Sequence, residues 1–123
     1  MIIVEGIEYI SIPVTNPEAS ADFYADLFDF EVIGDTSGNT VRLVLDPYQL
    51  QLVKLPSTEN PVSTAQIPAI SFAMDVDDFT EAINEIESKE ISIVRGPEAN
   101  GKGGESLLFA DPDNNLIEIF YSA

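Results

Sequence analysis

The chain contains no cysteine, no histidine and no tryptophan. Without cysteine there is no disulfide scaffold, no thiolate metal site and no thiol nucleophile. Without histidine the commonest transition-metal ligand and the usual neutral-pH general base are both missing. Serine triads and zinc deaminases are thereby excluded. Basic residues are scarce, five against 22 acidic ones, for a net charge of −17. Nucleic-acid affinity comes mostly from Lys and Arg on phosphates, so a nucleic-acid partner is not expected, and an anionic membrane would repel the chain. No apolar run approaches 18 residues, and Glu5 and Glu8 interrupt the start where a leader would carry its apolar stretch. These features predict a soluble, cytoplasmic protein, whose acidity fits a solvated surface and permits a cationic ligand.

What the 123 residues do contain is one pattern written twice. In GIEYISIPV (6–14), Ile10, Ile12 and Val14 alternate with Tyr9, Ser11 and Pro13, which predicts a strand. Asn16 as N-cap, Pro17 at the first helical position and Glu18 in the first turn predict a helix to about Asp29. Its apolar stripe reads Ala19, Phe23 and Leu27, with Tyr24 and Phe28 beside it. Three strands follow, at 30–36, 40–46 and 49–54, so this half is β-α-β-β-β. Residues 55–67 are rich in Pro, Ser and Thr and read as a linker.

The pattern then repeats. A strand at 68–74 precedes a helix capped by Asp77 or Asp78, with Phe79, Ile83 and Ile86 on its stripe. Strands are expected at 91–95, 105–110 and 116–122, with a Gly-rich loop at 96–104 and a turn at Asp111–Asn115. Tyr9-Ile10-Ser11-Ile12 aligns with Ala69-Ile70-Ser71-Phe72, and Leu50-Gln51-Leu52-Val53 with Ile117-Glu118-Ile119-Phe120. The expected fold is α+β: modules 1–54 and 68–123 of one domain, forming a curved mixed sheet around a concave cavity. Alternation places Tyr9, Ser11, Gln51, Val53, Ala69, Ser71, Glu118 and Phe120 on the cavity face and the aliphatic residues toward the helices. A one-residue slip would bury Glu8 and lose the apolar match.

Two further motifs fail on inspection. Gly96-x-x-x-x-Gly101-Lys102 lacks the Ser or Thr that would hold Mg²⁺ in a phosphate loop, and a strand follows it instead of a helix. Asp111-x-Asp113-x-Asn115 opens like a calcium loop, but Leu116 stands where Gly is needed and Ser122 where the bidentate Glu belongs.

The duplicated module, with PVTNPEASADFYADLFDFEV in the first half and LLFADPDNNLIEIFYS at the end, resembles the vicinal oxygen chelate superfamily. That superfamily holds glyoxalase I, extradiol dioxygenases, fosfomycin-resistance enzymes and bleomycin-resistance proteins. The resemblance covers nearly the whole chain and implies the fold without choosing an activity. It implies a divalent-metal site with ligands at the positions of Tyr9, Gln51, Ala69 and Glu118. Only Glu118 is an ordinary ligand, so no metal cofactor is expected.

Glu118 reads as a base or ligand anchor, or as a former metal ligand now hydrogen-bonded to Tyr9 or Gln51. Buried, it would need such a partner or a raised pKa. Tyr9 either stacks on a ligand or fills the space of the missing metal. The leading expectation is a metal-free small-molecule binder using Tyr9, Ser11, Gln51, Ala69, Ser71, Glu118 and Phe120. The alternatives are a divergent lactoylglutathione lyase-like or dioxygenase-like enzyme with Glu118 as the catalytic residue, acting as metal ligand or base, and a non-catalytic interaction module. Members of the superfamily commonly dimerise, so a homodimer is expected.

Overall fold

The computed structural model describes residues 1–56 and 66–122. The chain forms two compact units, Met1–Asn60 and Pro61–Ala123. Most of the expected linker, residues 57–65, lies outside the described residues.

The first unit contains β1 (Ile10–Val14), α1 (Pro17–Phe28), β2 (Glu31–Ile33), β3 (Thr40–Leu45) and β4 (Tyr48–Lys54). Its four strands lie in the order β1-β4-β3-β2. β1 runs parallel to β4, and the other two neighbour pairs are antiparallel. The second unit repeats this with β5 (Ile70–Ala73), α2 (Val76–Ser88), β6 (Ile93–Ala99), β7 (Glu105–Ala110) and β8 (Leu116–Phe120). Its order is β5-β8-β7-β6, with β5 parallel to β8. The expected α+β fold of tandem βαβββ modules is the observed one. The duplication extends to register, since Ile10 stands beside Leu50 and Ile70 beside Ile117, the same aligned positions.

One face of each sheet is apolar and sealed. Ile12, Val14, Leu50, Leu52, Val41 and Leu43 are at most 3% exposed in the first unit. Leu107, Phe109, Ile117 and Ile119 play the same part in the second. α1 packs on this face of β2, β3 and β4. Its buried stripe is Pro17, Ser20, Ala21 and Tyr24, while Ala19 is exposed and Phe23 and Leu27 are half-buried. The stripe read from the sequence is therefore displaced around the helix. Ser20 and Ala21 are small enough to let the helix approach closely, and the Tyr24 ring, edge-on to Phe23 and stacked with Phe28, fills the remaining space. In α2, Phe79 and Ile86 are buried as expected, and Phe79 meets the Tyr121 ring at 5.0 Å.

Several boundaries differ from the sequence reading, and three bear on the fold. The N-cap of α2 is Asp75, whose carboxylate accepts from the Asp77 N–H at 3.1 Å; Asp77 and Asp78 lie in the first turn. β1 starts at Ile10 instead of residue 6, and its first registered partner in β4 is Leu50. β6 extends to Ala99, through bulges in its pairing with β7, and the Gly-rich loop shrinks accordingly.

That loop is organised by Asn100. Its side-chain Nδ2 donates to the carbonyls of Glu105 (3.1 Å) and Tyr121 (2.9 Å), and its Oδ1 accepts from the N–H groups of Lys102 and Gly104. The Asp111–Asn115 turn is held in a similar way, with Asp111 Oδ1 accepting from the N–H groups of Asp113 and Asn115 and Oδ2 from Asn115 Nδ2.

Candidate functional site

The face opposite the sealed one carries the residues singled out for chemistry. In the first unit, register sets Ser11, Gln51, Arg42 and Ile33 side by side across β1, β4, β3 and β2. Adjacent strands are about 4.8 Å apart, so a hydroxyl, an amide and a guanidinium form one continuous polar row. Ser11 and Arg42 are exposed and Gln51 is half-buried. Val53 lies on the same face, and Tyr9, 46% exposed, immediately precedes β1.

In the second unit the corresponding row is Ser71, Glu118, Leu108 and Arg95. Glu118 is half-buried, and the Ser71 hydroxyl donates to its Oε1. The partner expected for this carboxylate was Tyr9 or Gln51; the partner found is Ser71, which the parallel register places directly beside it. Ala69 lies just before β5 and offers only its backbone, with its N–H donating to Leu116 O at 2.8 Å. Phe120 is half-buried, and Lys102 Nζ stands 5.1 Å from its ring centroid, a cation–π contact. Leu108, Ala110 and Leu116 form a small buried apolar cluster on the same face.

Arg42, Arg95 and Lys102 are additions to the expected set. Arg95 pairs with Glu98 at 2.8 Å and donates to Gln66 Oε1 at 3.3 Å. Arg42 was legible in principle, because TVRLVLD alternates and puts Thr40, Arg42 and Val44 on one parity; which parity faces out follows only from pairing with β4. A separate polar cleft of about 240 Å³ lies where α1 begins, lined among others by Thr15, Glu18, Thr36, Ser37, Asn39 and Lys54. None of the residues expected at the site lines it.

The family model of the Glyoxalase/Bleomycin resistance protein/Dioxygenase superfamily matches residues 6–119. The chain belongs to this superfamily. Among curated proteins it is similar to the metallothiol transferase FosB of Staphylococcus epidermidis, 23% identical over 117 residues, covering 94% of this chain and 81% of the relative. A FosB of Staphylococcus haemolyticus is 24% identical over 119 residues, covering 94% of this chain and 83% of the relative. Among solved structures, the genomically encoded fosfomycin resistance protein FosX of Listeria monocytogenes superposes with a TM-score of 0.81 at 17% identity, covering 98% of this chain and 96% of that one. A glyoxalase/dioxygenase from Nostoc punctiforme gives a TM-score of 0.81 at 24% identity, covering 97% and 92% of the two chains. These structural likenesses show the fold.

A superfamily member implies a divalent metal, and the donor set of this chain does not fit one. The first unit offers a neutral phenol and a neutral amide, Tyr9 and Gln51. The second offers Ala69, with no donor, and Glu118, one of whose oxygens already accepts from Ser71. Among the described residues there is no group of three acidic, His or Cys side chains that could hold a metal ion. First-row metals favour imidazole and charged oxygen, and Mg²⁺ uses one or two carboxylates together with substrate oxygens.

Proposed function

We propose that this protein binds a small organic molecule on the open polar face of a four-stranded sheet, without a resident divalent metal. The observation that carries this reading is the donor set: of the four positions at which the resemblance implies metal ligands, only Glu118 has an ionisable oxygen suited to a metal, and Ser71 is bonded to it. In the reading, Ser11 and Gln51 supply hydrogen bonds and Tyr9 apolar area on the face of the first unit; on that of the second, Ser71 supplies a hydrogen bond, Phe120 apolar area, and Glu118 anchors a donor group of the ligand. Sites of this type combine apolar walls with a few placed polar groups. Both modules act as one domain, and a cytoplasmic setting belongs to the proposal on the sequence alone. Among the described residues no helix is long and apolar enough to cross a membrane.

The charge of the ligand is set by the face and not by the whole chain. A net charge of −17 favours a cation, yet Arg95 shares the face of the second unit with Glu118, and Arg42 lies on that of the first. A ligand carrying both an acceptor and a donor group suits the second unit's face better than a simple cation.

Two measurements test the reading. Calorimetric titration of chelator-free protein with Mn²⁺, Ni²⁺, Zn²⁺ and Mg²⁺ is expected to show no saturable heat. A tight one-per-chain site abolished by Glu118→Ala would overturn the metal-free assignment. A thermal-shift screen of small molecules, fosfomycin among them because the structural neighbour FosX is named for resistance to it, is expected to find a stabilising ligand. Its stabilisation should fall at least tenfold in apparent affinity in Gln51→Ala or Glu118→Gln. Stabilisation unchanged in both variants would remove these faces from the site.

A further inference from the structure

The duplication supplies an internal comparison at one end of each sheet. Tyr121 follows β8 where Lys54 ends β4, and both make the same backbone bond: the Tyr121 N–H donates to Glu105 O at 3.1 Å and the Lys54 N–H to Asn39 O at 2.8 Å. Counted from the first residue of each helix, Phe79 of α2 corresponds to Ser20 of α1. In the second unit the Phe79 and Tyr121 rings meet at 5.0 Å, and Gly104 packs directly against Tyr121. In the first unit the same two places hold a serine and a flexible ammonium chain. Where two rings meet in the second unit, the first has the polar cleft of about 240 Å³ that Lys54 lines.

The walls of this cleft are charged and polar. Lys54 continues the parity of Leu50 and Leu52, the side that faces α1, and Glu18 stands in the first turn of that helix. Thr15 comes from the β1–α1 connection, and Thr36 and Asn39 from the β2–β3 connection. Among the described residues neither Lys54 nor Glu18 has an ion-pair partner, in a chain with five basic and 22 acidic residues. The helix end itself contributes little, because Pro17 has no N–H and the Ala19 N–H is already bonded to Asn16. What the cleft offers a ligand is therefore one cation and one carboxylate, with neutral polar groups around them.

We infer that this cleft binds a small zwitterion, a molecule of the free amino-acid type with an ammonium group for Glu18 and a carboxylate for Lys54. Its volume lies below the roughly 300–1,000 Å³ of sites for drug-sized molecules, which suits a ligand of that size. Charge points the same way. The field of a chain at −17 repels a simple anion from Lys54. A simple cation would set like charge against Lys54. A zwitterion carries no net charge and brings each end to an opposite partner. The cleft lies on the helix side of the first sheet, apart from Ser11 and Gln51 on the open face, so the inference stands without the ligand reading.

The test is an NMR titration of the full chain, isotope-labelled at nitrogen. The probes are glycine, L-serine and L-glutamine, with acetate and ethylammonium as controls that carry one charge each. At least one amino acid is expected to give saturable amide shifts at Glu18, Thr36, Asn39 and Lys54, and to bind at least tenfold more tightly than either control. Glu18→Gln and Lys54→Met should each weaken that binding at least tenfold. Lys54→Tyr, which installs the ring that the second unit carries, should abolish it with an unchanged circular dichroism spectrum. No saturable shift with any of the three amino acids overturns the inference. Shifts centred on Ser11, Gln51 or Glu118 overturn it too, as does acetate binding as tightly as the amino acids, or an affinity unchanged in the variants.

Discussion

Gly104 has no room for a methyl group. A Cβ built there would meet the carbonyl oxygen of Tyr121 at 2.1 Å and the Tyr121 ring at 2.8 Å. Gly104→Ala is therefore expected to cost about 1–3 kcal/mol, as overpacking does, measurable as a lower denaturation midpoint. The same tyrosine is expected to lower stability in alkali. Loss of solvent and the Glu105 carboxylate hold its phenol above the usual 10.0. Above that pH the unfolded chain releases the proton first, so stability is intact below about pH 10 and falls as pH rises through the folded value. Tyr121→Phe should flatten this decline while changing stability little at pH 7, where only a 3.3 Å hydrogen bond to Glu105 is lost. An alkaline unfolding profile identical in the two proteins would refute the assignment.

Helix α1 depends on a cap that local sequence specifies. Asn16 has extended backbone, its Oδ1 accepts from the Ala19 N–H at 3.1 Å, and Pro17 occupies the first helical position. Asn16→Ala should cost about 1 kcal/mol, and Asn16→Asp should retain most of the stability. The β7–β8 turn is more demanding. Asp111 is 5% exposed and satisfies two backbone N–H groups and the Asn115 amide. Asp111→Ala leaves those donors buried without a partner and should cost at least about 2 kcal/mol, against much less for Asp111→Asn. Chemical denaturation of the four variants decides both claims. Elements with such local signals were the ones read correctly. The cap of α2 lies two or three residues before the expected position because Asp75, Asp77 and Asp78 are equivalent in type, and only the backbone turn distinguishes them.

At the scale of the molecule, 22 acidic residues repel one another with few cations to offset them. Raising ionic strength from about 0.01 M to about 1 M shortens the screening length from roughly 30 Å to roughly 3 Å. The melting temperature is therefore expected to rise with sodium chloride; a fall would show that attractive pairs such as Arg95–Glu98 outweigh the repulsion. The duplication, the alternation that separates an apolar face from a polar one, and the absence of His and Cys were all determined by the sequence alone, because each is a matter of composition or of residues a few positions apart. Tertiary structure decided the rest. Arg42 stands beside Gln51 and Ser71 reaches Glu118, each because a partner strand distant in sequence sets the register. Alternation assigns a side chain to one of two faces, but which neighbour it meets there is settled only when strands pair.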